Sequence, residues 1–172
     1  MLNGSTRAQS ANGLFIEAII RVAGDRAEFS VYPSVADLPH FNPDLDVDPA
    51  PPEVTRFREL LAGADGLLIC TPEYAMGLPG SLKNALDWTV SSADLRLKPV
   101  MLVTASLSGE KAQASLLGTL NVLEGVITPD TTVLIQFART KVDDRANITD
   151  APALADVRRA LDAFLLSLQS GA

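Results

Sequence analysis

The run Gly66-Leu67-Leu68-Ile69-Cys70 passes without a break into Thr71-Pro72-Glu73-Tyr74-Ala75-Met76-Gly77-Leu78-Pro79-Gly80 and on into Ser81-Leu82-Lys83-Asn84-Ala85-Leu86-Asp87-Trp88. The first part is a short continuous apolar stretch, the pattern of a strand buried on both faces. The second is a loop built from Pro, Gly and one aromatic. The third has helical spacing, with a proline suited to its first turn. A strand, a loop and a helix in this order bring a ligand to the carboxyl end of a parallel sheet.

The rest of the chain repeats the alternation. Ser10, Ala11 and Asn12 offer caps for a helix in which Leu14, Phe15, Ala18, Ile19 and Val22 share one side. Residues 28–32 read as a short strand with Phe29 and Val31 alternating. Residues 33–52 form a long loop rich in Pro and Asp. Residues 53–61 read as a helix with Val54, Phe57, Leu60 and Leu61 on one side and Gly63 as its C-cap. Further helices are expected over 79–91, 110–123 and 154–168, and further strands over 66–71, 99–105 and 133–138. In the helix over 110–123, Ala112, Leu116, Leu117 and Leu120 should face inward. Strands separated by helices of this length imply a parallel sheet covered on both faces. With no second apolar pattern and no linker, residues 1–172 read as a single domain.

Composition narrows the function. Hydrophobic residues make up 47% of the 172, enough for a substantial core. The formal charge of −7 excludes a broad nucleic-acid surface. No apolar run reaches the length of a membrane span. Met1-Leu2-Asn3-Gly4-Ser5 turns polar almost at once, so we expect no secretion signal and a cytoplasmic protein. The one cysteine, Cys70, ends an apolar strand and reads as inert core. The one histidine, His40, has no ligand partners in its loop, so no metal site is expected. There is no Gly-x-Ser-x-Gly elbow. Nucleophilic and metal chemistry therefore have little to work with.

A second segment carries binding chemistry. Gly4-Ser5-Thr6-Arg7-Ala8-Gln9-Ser10-Ala11-Asn12 stands just before the first helix. It offers small turn residues, three hydroxyls, one guanidinium and one side-chain amide at its end. A helix N-terminus adds unpaired backbone N–H groups and a partial positive charge. Together these can hold a phosphate dianion. Read alone, the same residues are an ordinary capped helix start with a solvated Arg7. The segment lacks the Gly-Lys-Ser/Thr ending of a P-loop and the three spaced glycines of a dinucleotide fingerprint.

Both segments resemble those of the NAD(P)H-dependent FMN reductases, relatives of quinone, azo and chromate reductases. That family's phosphate loop reads Gly-Ser-x-Arg-x-x-Ser-x-Asn, matched here at Gly4, Ser5, Arg7, Ser10 and Asn12. The resemblance implies phosphate contacts by Ser5, Arg7, Ser10 and Asn12. It also implies that Pro72, Glu73, Tyr74, Ala75 and Met76 line the flavin, while Lys83, Asn84, Asp87 and Trp88 fix packing or a subunit contact. Ala75 stands where many members have Asn, and Met76 where an Ala-His-Gly variant of the loop has His. The third loop, Thr104 to Lys111, is Gly-rich in the family; here only Gly109 remains. Ser106 and Ser108 are placed to donate to the ring or ribityl chain, with helix capping as the alternative for Ser108.

The fold so implied is flavodoxin-like: a three-layer α/β/α domain with a five-stranded parallel sheet of order 2-1-3-4-5. Its first strand is truncated, because only Met1, Leu2 and Asn3 precede the Gly4 turn. Family members carry several more apolar residues there, each worth about 1.5–3 kcal/mol when buried, against a net stability of about 5–15 kcal/mol. The expectation is a start codon further upstream. The activity implied is an NAD(P)H oxidoreductase with FMN, passing hydride to a quinone, free flavin or similar small acceptor in a homodimer or homotetramer. A flavodoxin-type electron carrier and a flavodoxin-like module without flavin are the alternatives.

Overall fold

The computed structural model describes residues 1–170. Four parallel strands form one sheet in sequence order: β1 (Leu2–Asn3), β2 (Leu67–Thr71), β3 (Val100–Ala105) and β4 (Thr132–Ile135). Every residue of β2 and β3 is buried, so both read as unbroken apolar runs with no alternation. Their side chains divide between the two faces. Leu67, Ile69, Val100 and Leu102 join the core under α2 (Pro52–Ala62), α3 (Gly80–Asp87) and α4 (Glu110–Val122). Leu68, Cys70, Met101 and Val103 join the core under α1 (Ala11–Ala23) and α5 (Ala151–Ser170).

The expected order 2-1-3-4-5 needs correction, because residues 28–32 form no strand. The Met1 ammonium donates to the Ser30 carbonyl, and the Tyr32 N–H donates to the Met1 carbonyl at 2.9 Å. β1 has two residues, too few to carry a ladder beyond this contact. Val31 is consequently exposed, while Tyr32 packs edge-on against Phe57 with ring centroids 5.0 Å apart.

Several boundaries also move. α3 stops at Asp87, well before residue 91, where the chain tightens to i→i−3 bonds: the Thr89 N–H donates to the Leu86 carbonyl at 3.0 Å and the Val90 N–H to the Asp87 carbonyl at 3.3 Å. β4 stops at Ile135, since Phe137 adopts a φ of 51° that no strand accommodates. α5 begins earlier, at Ala151, where Asp150 Oδ1 accepts the Ala153 N–H at 2.9 Å. Leu60 is exposed, unlike Val54, Phe57 and Leu61.

The long acidic loop is pinned to α3. Asn84 donates to the Pro39 carbonyl at 2.9 Å and accepts the Phe41 N–H at 2.7 Å. Trp88 Nε1 donates to the same Pro39 carbonyl at 2.8 Å, with Phe41 edge-on to its ring. Asp46 pairs with Arg58 at 2.7 Å. Asn84 and Trp88 therefore serve packing, as their helical position implied.

Candidate functional site

Three loops meet past the carboxyl ends of β1, β2 and β3. The first begins at Gly4, whose N–H donates to the Cys70 carbonyl at 2.8 Å and ends the ladder. A Cβ on Gly4 would stand 2.4 Å from Thr71 Oγ1 and 3.0 Å from Leu82 Cδ2, so glycine alone fits this exit. Ser5 is buried, and its N–H donates to Asn3 Oδ1 at 2.9 Å. Thr6, Arg7, Ala8 and Gln9 are exposed. Among the described residues, nothing accepts from the Arg7 guanidinium or from the N–H groups of Thr6, Ala8 and Gln9.

Ser10 and Asn12 have structural duties. Ser10 Oγ accepts the Gly13 N–H at 3.0 Å, capping α1. Asn12 donates to the Ala105 carbonyl at 3.1 Å, and its Oδ1 accepts from the Cys70 thiol at 3.3 Å. Its side chain ties α1 to β2 and β3 beneath the loop. Burial pushes the Cys70 thiol far above its ordinary range, which keeps it protonated and inert.

The second loop reverses over Tyr74 and Gly77, which exchange backbone bonds of 2.9 and 3.0 Å. Ala75 and Met76 at its tip have φ of 49° and 63°. Two consecutive positive φ values favour Asn-Gly, so this tip holds backbone strain. Both residues are exposed, and among the described residues neither N–H has an acceptor. Pro72 is buried at the loop's root.

Side chains lock the loops together. Ser5 Oγ lies 3.1 Å from the Tyr74 hydroxyl, across 69 positions of sequence. The Glu73 N–H donates to Ser106 Oγ at 3.1 Å. The Glu73 carboxylate is turned toward α4, accepting the Lys111 N–H at 2.8 Å, the Ala112 N–H at 3.0 Å and the Ser108 hydroxyl at 2.7 Å. The Ala112 N–H and then the Ser108 hydroxyl hold its carboxyl below the usual range. The family motif assigns Glu73 to the ligand, whereas its carboxylate caps the start of α4. The available signal was Gly109, a helix N-cap with no side chain, at φ 106°. Sequence reasoning also missed Leu107 and Phe137, large exposed apolar residues just past the ends of β3 and β4.

The donor set suits one ligand shape. The 6–9 turn with Arg7 presents unpaired N–H groups and a cation for a phosphate. The 74–77 tip presents unpaired N–H groups for the polar edge of a flat ring. On the other side of β2, Thr104 Oγ1 in β3 is buried without a partner among the described residues.

Residues 1–140 match the family described as NADPH-dependent FMN reductase. The chain belongs to this family. This FMN reductase family member is 32% identical over 170 residues to a quinone reductase from Escherichia coli K12; the match covers 95% of this chain and 90% of that protein. It is 32% identical over 169 residues to a 2-hydroxy-1,4-benzoquinone reductase from a Burkholderia species, covering 94% and 88%. Among solved structures it resembles the flavoenzyme NAD(P)H:(acceptor) oxidoreductase FerB from Paracoccus denitrificans. The TM-score is 0.87 at 28% identity, over 98% of this chain and 95% of that one. The family membership and the flavodoxin-like α/β fold expected from the two motifs are borne out, with the sheet corrected as above. Among the described residues, no helix is long and apolar enough to cross a membrane, and no group of three or more acidic, His or Cys side chains is set to hold a metal.

Proposed function

We propose that this family member is an NAD(P)H-dependent oxidoreductase that binds FMN at the three loops and reduces quinones or free flavins. The carrying observation is the 3.1 Å contact between Ser5 Oγ and the Tyr74 hydroxyl, which joins the two motif segments into one site. Bound FMN would supply the hydride chemistry, taking electrons from NAD(P)H and giving them to the acceptor.

The chain's own residues bind and orient. Arg7 and the N–H groups of Thr6, Ala8 and Gln9 would hold the phosphate, with Ser5 at the loop's base. Ser10 and Asn12 contribute by fixing the start of α1, whose N-terminus faces the anion. The N–H groups of Ala75 and Met76 would donate to the ring's polar edge and would stabilise negative charge there. Pro72, Glu73 and Ser106 fix the root of the loop that would carry these donors, Glu73 through its N–H to Ser106 Oγ at 3.1 Å. No protein nucleophile is required, in keeping with the scarcity of His and Cys in the sequence. We further propose a single domain over residues 1–172, located in the cytoplasm and working as a homodimer or homotetramer.

Anaerobic titration with NADH and with NADPH tests the reading. Bleaching of the flavin absorbance of FMN-loaded protein is the expected result. FMN that binds but does not bleach would leave only a flavodoxin-type carrier; a colourless protein that takes up no FMN would remove flavin altogether.

A further inference from the structure

Phe137 occupies a backbone conformation that bulky side chains avoid, with φ at 51°, yet it is 60% exposed. Burial gives no return for this strain. The position lies at the carboxyl end of the sheet, where ligands of open α/β folds bind. The surroundings hold the residue there. Its N–H donates to the Leu107 carbonyl at 3.2 Å, and the next N–H, of Ala138, donates to the Ser106 carbonyl at 3.0 Å. Leu107 is itself 72% exposed.

These two residues are continuous with the site. Ser106, which the Ala138 N–H grips by its carbonyl, also accepts the Glu73 N–H on its hydroxyl. Glu73 precedes Tyr74 and Met76, which are 50% and 67% exposed. The loops after β2, β3 and β4 thus each present a large apolar side chain to solvent, and hydrogen bonds link one loop to the next.

We propose that Leu107 and Phe137 are specificity-determining residues that form an apolar wall for the electron acceptor, selecting flat, uncharged aromatic acceptors of the quinone class over hydrophilic ones. This inference rests on the reductase reading above. The wall offers contact area and no proton donor or charge of its own, so it discriminates by hydrophobic burial. One such contact is worth about tenfold or more in specificity.

The experiment compares Phe137→Gly and Leu107→Ser with the unsubstituted FMN-loaded protein. Glycine adopts the positive φ without strain, so the first variant keeps its fold, and its melting temperature serves as the control. Each variant is assayed with menadione, an apolar quinone, and with ferricyanide, a hydrophilic acceptor. Anaerobic bleaching by NADH is followed alongside. The expected result is a KM for menadione raised about tenfold, with bleaching rate and ferricyanide reduction within about twofold of the original. An unchanged menadione KM in both variants overturns the proposal. So does a parallel loss with both acceptors, which would place the residues in flavin binding. A change of oligomeric mass on sedimentation would also overturn it, because the wall would then be a contact between copies. If the unsubstituted protein does not bleach, the reductase reading falls first and the wall with it.

Discussion

Glu73 Oε2 accepts the Ala112 N–H at 3.0 Å, so a residue of the loop after β2 caps the helix of the following βα unit. The contact is charge-assisted and joins two loops of the site. Glu73→Gln keeps the shape and removes the charge. We expect it to lower the melting temperature at pH 7 and to weaken FMN binding about tenfold. Glu73→Asp, too short to reach Lys111 and Ala112, should not rescue either property. Thermal scans and flavin fluorescence titration check both.

The same carboxyl sets a pH dependence. Its folded pKa is lowered, so its stabilisation is fully present above the unfolded value of about 4.5 and is lost as pH falls through the folded value. Asp46, lowered chiefly by its hydrogen bond from Arg58, adds in the same direction. Urea midpoints measured from pH 7 down to pH 3 should fall more steeply for the unsubstituted protein than for Glu73→Gln. Parallel curves would remove Glu73 from the acid transition.

Gly4 and Gly118 should respond oppositely to alanine. At Gly4 the new Cβ meets Thr71 Oγ1 at 2.4 Å, an overpacking that costs about 1–3 kcal/mol. Gly118 lies within α4, where a Cβ meets nothing within 4 Å, and helix propensity predicts a gain of about 0.5–1 kcal/mol. Chemical denaturation of the two variants gives both signs directly.

Met76→Gly relieves a positive φ at an exposed tip and should stabilise the fold by about 1 kcal/mol. The backbone N–H is retained, so FMN affinity should stay within about threefold. A large loss of affinity would assign the Met76 side chain, not its amide, to the ring.

Arg7→Ala removes the exposed cation of the phosphate loop. The dissociation constant for FMN should rise about 10- to 100-fold, the worth of one charge-assisted contact, while riboflavin, which has no phosphate, should be unaffected. The difference should shrink with added salt.

The two buried strands, the five helices and the two binding segments were legible because each is a local pattern. β2 and β3 are continuous apolar runs, and Ser10 caps α1 where its residue type indicates. The family motif placed Ser5, Arg7 and residues 72–77 at one end of the sheet. The role of Glu73 was not legible, because its cap acts on a helix that begins 37 positions later in the sequence. The strand over residues 28–32 was misread for a related reason. Phe29 and Val31 alternate, but a strand exists only where a neighbour supplies a ladder, and β1 ends after two residues.

The chain by itself determined the βα alternation and the residue types of the phosphate and ring-edge loops. These follow from periodicity and local turn chemistry, which act over a few residues. Only the tertiary structure decided which of those residues remain available to a ligand. Asn12 and Glu73 spend their polar atoms on Ala105, Cys70 and α4, whereas Arg7 and the amides of Ala75 and Met76 do not spend theirs. Availability depends on which donors and acceptors the folded sheet brings within about 3 Å, and that distance is set by packing between segments far apart in sequence.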